Sequence, residues 1–149
     1  MKGIVIYHSK YGNCKQVAEA ILAGLKESGA DVTLAEVSSL DALPEDVDFV
    51  VMGSPTRAGR ASGPIRKFMK KASWTAGMKF AAFGTGLTKG VAKGDKISAE
   101  DISESLKVFG LGEVVPPFRA GVGGRKGPLE DGALDKAKAF GNTVAGALG

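Results

Sequence analysis

Near the start of the chain, a short polar loop joins an apolar segment to an amphipathic one. Residues 4–7 read Ile-Val-Ile-Tyr, and residues 8–14 read His-Ser-Lys-Tyr-Gly-Asn-Cys. Apolar residues then recur at helical spacing, at Val17, Ala18, Ile21, Leu22 and Leu25. This order predicts a buried strand, a loop at its carboxyl end and a helix that begins directly after the loop.

Such a loop is suited to binding an anion. The first backbone N–H groups of a helix have no partner within it, and the helix dipole is positive at that end. Gly12 tolerates unusual backbone angles, Asn13 is a favourable N-cap and Ser9 adds a hydroxyl donor. The loop therefore predicts a phosphate site that needs no metal.

Further strand patterns alternate with helical ones. Val32 and Leu34 alternate with less apolar neighbours, which predicts an edge strand. Residues 48–52 and 79–83 are nearly continuous apolar runs, which is typical of central strands in a parallel sheet. The last strand is predicted within residues 113–122 at the opposite edge, because its prolines cannot donate to a neighbouring strand.

This succession predicts an α/β fold, with a doubly wound parallel sheet covered by helices on both faces, in a single domain spanning residues 1–149. Residues 87–97 and 121–128 are predicted to be flexible loops because they are rich in glycine and basic residues. Ser98 followed by Asp101 resembles a capping box, so a helix is expected to start there.

Composition excludes several functional classes. The only cysteine and the only histidine rule out an internal disulfide and disfavour a zinc site. No apolar run reaches the roughly 18 residues of a membrane span, and the early strand leaves no room for a signal peptide, so we expect a cytoplasmic protein. A net charge of +4 raises the question of nucleic-acid binding. The cations are interspersed with acids and few aromatics lie among them, so no nucleic-acid partner is expected.

The sequence carries no complete dinucleotide-binding or Ser-His-Asp motif. Gly84 and Gly86 lack the third glycine of a dinucleotide fingerprint, and His8 has no orienting partner motif, so it is interpreted as structural. Cys14 is a reactive thiol only if it stays unburied at the helix N-terminus. The cations of residues 66–71 are interpreted as a solvated helix face, with partner docking as the alternative.

Three loops, each at the end of a predicted strand, resemble those of the short-chain flavodoxins and flavodoxin-domain proteins. They read Ser-Lys-Tyr-Gly-Asn-Cys over residues 9–14, Gly-Ser-Pro-Thr over residues 53–56 with Gly59 beyond, and Gly-Thr-Gly over residues 84–86. The resemblance covers essentially the whole chain. It implies a flavodoxin-like sheet of five parallel strands in the order 2-1-3-4-5, with FMN at the carboxyl edge.

The resemblance also implies roles for the loops. The first would hold the FMN phosphate, and the other two would flank the ring system. The implied cofactor-binding residues are Ser9, Lys10, Tyr11, Gly12, Asn13, Cys14, Ser54, Pro55, Thr56, Arg57, Ala58, Gly59, Thr85, Gly86 and Leu87. The function implied is electron transfer with a redox partner protein or a small-molecule donor or acceptor, as a carrier or redox domain more than as a stand-alone enzyme.

The chain departs from the family pattern in its stacking residues. Arg57 stands where an aromatic often lies against the flavin, and residues 85–87 offer no aromatic. An arginine can stack on a ring, and a partner subunit can supply a missing one. Loss of two aromatic contacts would weaken FMN binding roughly ten- to a hundredfold.

The basic charge is a second departure, since flavodoxins that serve redox partners tend to be acidic. The cations expected at or near the binding edge are Lys10, Lys15, Arg57, Arg60 and Lys89. We expect them to stabilise anionic reduced flavin and so raise its potential, by roughly 59 mV for each ~1.4 kcal/mol.

Two alternatives stay open. An NAD(P)H- or quinone-dependent flavin oxidoreductase would use the ring face that the missing aromatics leave open, with Arg57, Arg60 or Lys89 attracting the phosphates of NADPH. A flavin-free interaction module would keep the scaffold and the anion site alone.

Overall fold

The computed structural model describes residues 1–149 and contains one twisted parallel sheet with helices on both faces. The strands are β1 (Lys2–Tyr7), β2 (Asp31–Glu36), β3 (Phe49–Arg57), β4 (Arg60–Ala61), β5 (Lys79–Leu87), β6 (Gly112–Glu113) and β7 (Phe118–Val122). The helices are α1 (Asn13–Glu27), α2 (Gly63–Lys71), α3 (Thr88–Lys93), α4 (Ser98–Val108) and α5 (Ala133–Leu148), with a 3-10 turn at Val37–Ser39.

The strand order confirms the predicted topology. It runs β2-β1-β3-β5, and β6 and β7 both pair with β5 at the far edge. The predicted fifth strand is thus present in two pieces, separated by Pro116 and Pro117, which have no N–H for the ladder. The two-residue strand β4 is a short antiparallel arm that folds back on the end of β3.

Two apolar layers pack against the sheet, because successive side chains of a central strand point to opposite faces. Val50 and Met52 of β3 join the core beneath α2 and α4, while Val51 joins the core beneath α1 and α5. Helices α1 and α5 approach closely at two glycines. A Cβ on Gly24 would lie 2.1 Å from the Lys138 carbonyl oxygen, and one on Gly141 would lie 2.3 Å from that of Ile21.

Three local predictions are wrong. Gly12, with a φ of 94°, is the N-cap of α1 in place of Asn13, because glycine adopts the left-handed conformation without strain. Helix α4 is capped by Glu100, whose carboxylate accepts the Ile97 N–H at 2.9 Å, whereas Asp101 accepts the Ala61 N–H at 2.8 Å. Residues 87–97 are not a loop throughout, since they contain α3.

No helix in the structure has the length and apolarity that crossing a bilayer requires.

Candidate cofactor site

A cleft of about 510 Å³, here called the edge cleft, lies at the carboxyl ends of β1, β3 and β5. The strand order reverses direction between β1 and β3, and doubly wound sheets bind ligands at such a point. Its volume is in the range of cofactor sites. The lining residues are Ser9, Lys10, Tyr11, Asn13, Cys14, Pro55, Thr56, Arg57, Ala58, Gly59, Thr85, Gly86, Leu87, Gly90, Asp95, Lys96, Ile97, Val122 and Arg125.

Every predicted site residue except Gly12 and Ser54 lines this cleft. Gly12 lies directly below it as the N-cap of α1. Ser54 is fully buried, and its hydroxyl accepts the Ser62 N–H at 2.8 Å and donates to the Pro55 carbonyl at 2.7 Å. Ser54 therefore fixes the carboxyl end of β3 against the start of α2 and does not face the cleft.

The sequence reasoning missed one wall of the cleft. The residues it did not assign are Gly90, Asp95, Lys96, Ile97, Val122 and Arg125. All six belong to the two segments that were predicted to be flexible loops, 87–97 and 121–128. The signal available was that both segments follow strands at the same edge of the sheet. The cations that line the cleft differ from those expected near it. Lys15, Arg60 and Lys89 do not line the cleft, whereas Lys96 and Arg125 do.

At one end of the cleft, backbone N–H groups of α1 have no acceptor in the chain. The first hydrogen bond of the helix runs from the Gln16 N–H to the Gly12 carbonyl at 3.1 Å, so the N–H groups of residues 13–15 precede the ladder. Ser9 Oγ accepts the Gly12 N–H at 3.0 Å, which shapes the loop and leaves the serine proton available for donation. These donors fit a phosphate group.

Basic side chains surround the same end. The Lys10 Nζ lies 5.4 Å from the centroid of the Tyr11 ring, and the Lys126 Nζ lies 5.9 Å from it. Both distances are within the range of cation–π attraction. Arg125 lines the cleft next to them. The local charge therefore favours an anionic ligand.

The thiol of Cys14 is not activated by its position at the start of α1. Its side chain is only 1% exposed, and burial raises the pKa of the thiol far above its usual range. Desolvation of the thiolate thus outweighs the helix dipole. His8 directly follows β1, and its Nδ1 lies 2.8 Å from Ser62 Oγ. Partial burial lowers the pKa of the His8 imidazole. Burial therefore keeps the Cys14 thiol from acting as a nucleophile, and His8 is held by Ser62, the N-cap of α2.

The carboxyl ends of β3 and β5, which extend through the segments predicted to be loops, are tied to each other at the centre of the cleft. The Thr56 hydroxyl donates to the Thr85 carbonyl at 2.8 Å and accepts the Ser98 N–H at 2.9 Å. The Ser98 hydroxyl donates to the Ser54 carbonyl at 2.6 Å. The start of α4 thereby fixes the distance between the two loops that were predicted to flank a ring.

The wall opposite α1 is formed by α3 and the turn after it. The Thr88 hydroxyl donates to the Val122 carbonyl at 3.0 Å. Arg119 of β7 donates to the carbonyls of Gly90, at 3.4 Å, and Asp95, and its Nε lies 3.6 Å from Glu100 Oε1. Arg119 therefore joins this wall to both β7 and α4.

The walls between these two ends are mainly apolar or formed by backbone. They are provided by Pro55 and Ala58 on one side and by Leu87, Ile97 and Val122 on the other. Tyr11 is the sole aromatic among the lining residues. The free N–H groups at one end can donate to a phosphate, and the apolar walls beyond them suit a planar ring.

Comparison with known proteins defines the family. The model of the flavodoxin domain matches residues 4–114. The chain belongs to the flavodoxin-domain family. Family membership confirms the predicted fold, and FMN is the cofactor that it implies.

Individual relatives agree with this assignment. A protein named NAD(P)H dehydrogenase (quinone), from Methylocella silvestris, is 28% identical over an alignment 135 residues long that covers 74% of this chain and 68% of the relative. The solved structure of a flavodoxin from the domain Archaea is similar with a TM-score of 0.78 and 25% identity, covering 98% of this chain and 97% of that one.

A larger protein contains the same fold. The flavodiiron core of Flv1 from Synechocystis is similar with a TM-score of 0.74 and 24% identity over 99% of this chain. The flavodoxin-domain chain spans only 36% of that protein. This likeness shows the fold alone.

Proposed function

We propose that the edge cleft binds FMN and that this chain carries electrons between redox partners in the cytoplasm, with residues 1–149 acting as one domain. The proposal depends on one observation above the others, namely that the free N–H groups of α1 open into an apolar-walled cleft at the sheet edge. When bound, FMN supplies the one- or two-electron chemistry. The protein supplies position, electrostatics and exclusion of water.

The phosphate is held by the first loop. The N–H groups of Asn13 and Cys14, which line the cleft, would donate to it, and the Ser9 hydroxyl would add a further hydrogen bond. The family's loop usually has threonines where this chain has Tyr11 and Cys14. The Cys14 thiol is a weak donor, so at that position the backbone N–H is the effective group.

The ring system is flanked by residues 55–59 on one side and residues 85–87 on the other. Arg57 is exposed at the mouth of the cleft and takes the position of the missing aromatic, where a guanidinium can lie flat on a π-system. The hydrogen bonds of Thr56 to Thr85 and Ser98 keep these loops at a set distance before any ligand enters. Such preorganisation reduces the cost of binding.

The charge of the cleft acts on the flavin's electronics. Lys10, Arg57 and Arg125 line it, and Asp95 is the only carboxylate that does. Lys96 contributes less because it pairs with Glu104 at 2.6 Å. Excess positive charge stabilises the anionic reduced cofactor, and each ~1.4 kcal/mol raises a one-electron potential by roughly 59 mV.

A second candidate function is NAD(P)H-dependent reduction of a quinone or a similar small molecule. It is favoured by the name of the Methylocella relative and by the lack of an aromatic covering one side of the cleft. In this function Arg57 and Arg125 would attract the phosphates of NADPH, since guanidinium groups bind phosphate in a bidentate manner.

Anaerobic reduction of the FMN-loaded protein separates these functions. A carrier should take electrons from dithionite but oxidise NADPH no faster than free FMN does, with or without benzoquinone. Rapid, saturable NADPH oxidation that requires benzoquinone would establish the oxidoreductase instead. A colourless protein that also ignores added FMN would contradict both and leave a flavin-free interaction module.

A further inference from the structure

A second depression, of about 180 Å³, lies between α2 and α4, next to the edge cleft but outside it. We refer to it as the α2–α4 groove. Its lining residues are Arg60, Arg66, Met69, Lys70, Asp101, Ser105, Val108 and Phe109. Val108 is 84% exposed and Phe109 is 40% exposed, so apolar surface is presented to solvent at the end of α4.

The rim of this groove is positively charged and not neutralised within the chain. Three cations line it, Arg60, Arg66 and Lys70, and helix α2, which carries two of them, has no acid. None of these three side chains forms an ion pair. The one carboxylate in the groove, that of Asp101, is engaged by the Ala61 N–H at 2.8 Å.

The groove and the edge cleft share a hairpin. Arg57, Ala58 and Gly59 line the cleft, and Arg60, the next residue, lines the groove. Arg57 and Arg60 face each other across the antiparallel β3–β4 pair. A protein that occupies the groove therefore lies directly beside the mouth of the cleft.

We propose that the α2–α4 groove docks an acidic electron-transfer protein, which places carboxylates on Arg60, Arg66 and Lys70 and an apolar side chain over Val108 and Phe109. An exposed apolar centre within a charged rim is the usual anatomy of a protein interface, and opposite charges across it accelerate encounter. That the partner exchanges electrons rests on the function proposed above. The docking itself does not.

The groove fits a protein better than a nucleic acid. Binding of single strands relies on aromatic rings on which bases stack, and the groove offers Phe109 alone. Trp74, which follows α2, packs edge-on against Phe68 at 6.2 Å between centroids, and its indole N–H donates to the Met69 carbonyl at 2.9 Å. It is therefore not free to stack on a base.

Native cytochrome c, which is basic, and succinylated cytochrome c, which is acidic, form a matched pair of probes. Succinylation changes the charge of the lysines and leaves the haem in place. The test variant is Lys70→Glu, at an exposed lysine that lines the groove. The control variant is Lys136→Glu, which reverses one exposed, unpaired lysine on a helix of the opposite sheet face and loses the same net charge. Neither of these residues lines the edge cleft, so FMN affinity should be equal in all three proteins.

The first readout is binding of each cytochrome to the flavin-free chain at low ionic strength, which tests docking even if FMN binding fails. The second is stopped-flow reduction of ferric cytochrome by the FMN-loaded, dithionite-reduced chain, in which one electron reduces the haem iron. We expect the succinylated form to bind and react faster, with a rate that falls as salt rises. The test variant should lower that rate at least about tenfold and the control variant at most about threefold.

Two results would overturn the proposal. Equal losses in the test and control variants would mean that net charge, and not the groove, attracts the probe. Tighter binding of a single-stranded oligonucleotide than of succinylated cytochrome c, lost in the test variant, would make the face a nucleic-acid site. Failure of FMN titration with intact, groove-dependent cytochrome binding would contradict the proposed function alone.

Discussion

The phosphate end of the edge cleft and the wall formed by α3 are built in different ways. At the phosphate end, the loop of residues 9–12 and the start of α1 are adjacent in sequence, and their geometry follows from Gly12 and the helix terminus. The α3 wall is held by Thr88 and Arg119, whose partners lie 24 to 34 residues away in the chain.

The difference concerns what each end can do. Under the proposed function, backbone N–H groups at the phosphate end recognise charge. The α3 wall would instead enclose the ligand without recognising a particular group. Substitutions at the phosphate end should therefore discriminate FMN from riboflavin, which lacks the phosphate, whereas substitutions that loosen the α3 wall should weaken both ligands alike.

The largest effect is expected from Asn13→Asp. A carboxylate at the start of α1 repels the phosphate and should cost about 2–3 kcal/mol, or roughly a hundredfold in FMN affinity, while riboflavin affinity stays unchanged. The free energy of unfolding should not fall, because an acid suits a helix N-terminus. Parallel titrations and urea unfolding measure both quantities. Gln16→Glu, with the same charge change on an exposed residue one turn later, is the control.

Arg119→Leu is expected to weaken the binding of FMN and of riboflavin equally. The carbonyls of Gly90 and Asp95 lose their donor, so α3 should open more often and both FMN and riboflavin should bind about tenfold more weakly. Hydrogen exchange should rise at the amides of residues 88–97. Arg119→Lys should restore part of the affinity, whereas a selective loss of FMN would contradict an enclosing role for this wall.

Arg57→Tyr is expected to raise the affinity for both ligands, because it places an aromatic ring where Arg57 stands. Stacking should add about 0.5–1.5 kcal/mol, or roughly two- to tenfold, to the affinity for both ligands. The potential of bound FMN should fall at the same time, because a cation is lost. Unchanged affinity together with an unchanged potential would show that residue 57 does not face the ring.

The smallest effect concerns Cys14 and pH. In the unfolded chain a cysteine has a pKa of about 8.5, whereas burial raises the pKa of Cys14 in the folded protein. The unfolded state therefore loses this proton first, so stability is fully present below about pH 8.5 and falls as pH rises above it, by up to about 1.4 kcal/mol per unit. Denaturation between pH 7 and 9.5 should show this slope in the wild type and a shallower one in Cys14→Ala. Identical slopes would place the thiol in contact with water.

The strand–helix alternation and most of the phosphate end were predictable, because both depend on patterns within short segments. Apolar runs and prolines indicated which strands are central and which lie at an edge, whereas the full strand order came from the resemblance to the flavodoxins. The turn at Gly12 followed from its neighbours in sequence. The N-cap was misplaced by one residue because Asn13 and Gly12 are both acceptable caps, and only the backbone angle of Gly12 decides between them.

The α3 wall was not predictable for a physical reason. Residues 87–97 combine glycines, which disfavour a helix interior, with lysines that add no apolar stripe to pack against the sheet. Their structure comes from Arg119 and Thr88, whose contacts with distant strands cannot be read from local pattern. Glu100 illustrates the same limit, since it both caps α4 and pairs with Arg119.

The central claim is that α1 and the edge cleft together bind a phosphorylated flavin. Fluorescence-quenching titrations of the purified chain with FMN and with riboflavin, run side by side, test it most directly. We expect saturable quenching at micromolar FMN and an affinity for riboflavin at least about tenfold lower. No quenching up to millimolar FMN, or equal affinities for the two ligands, would contradict the claim.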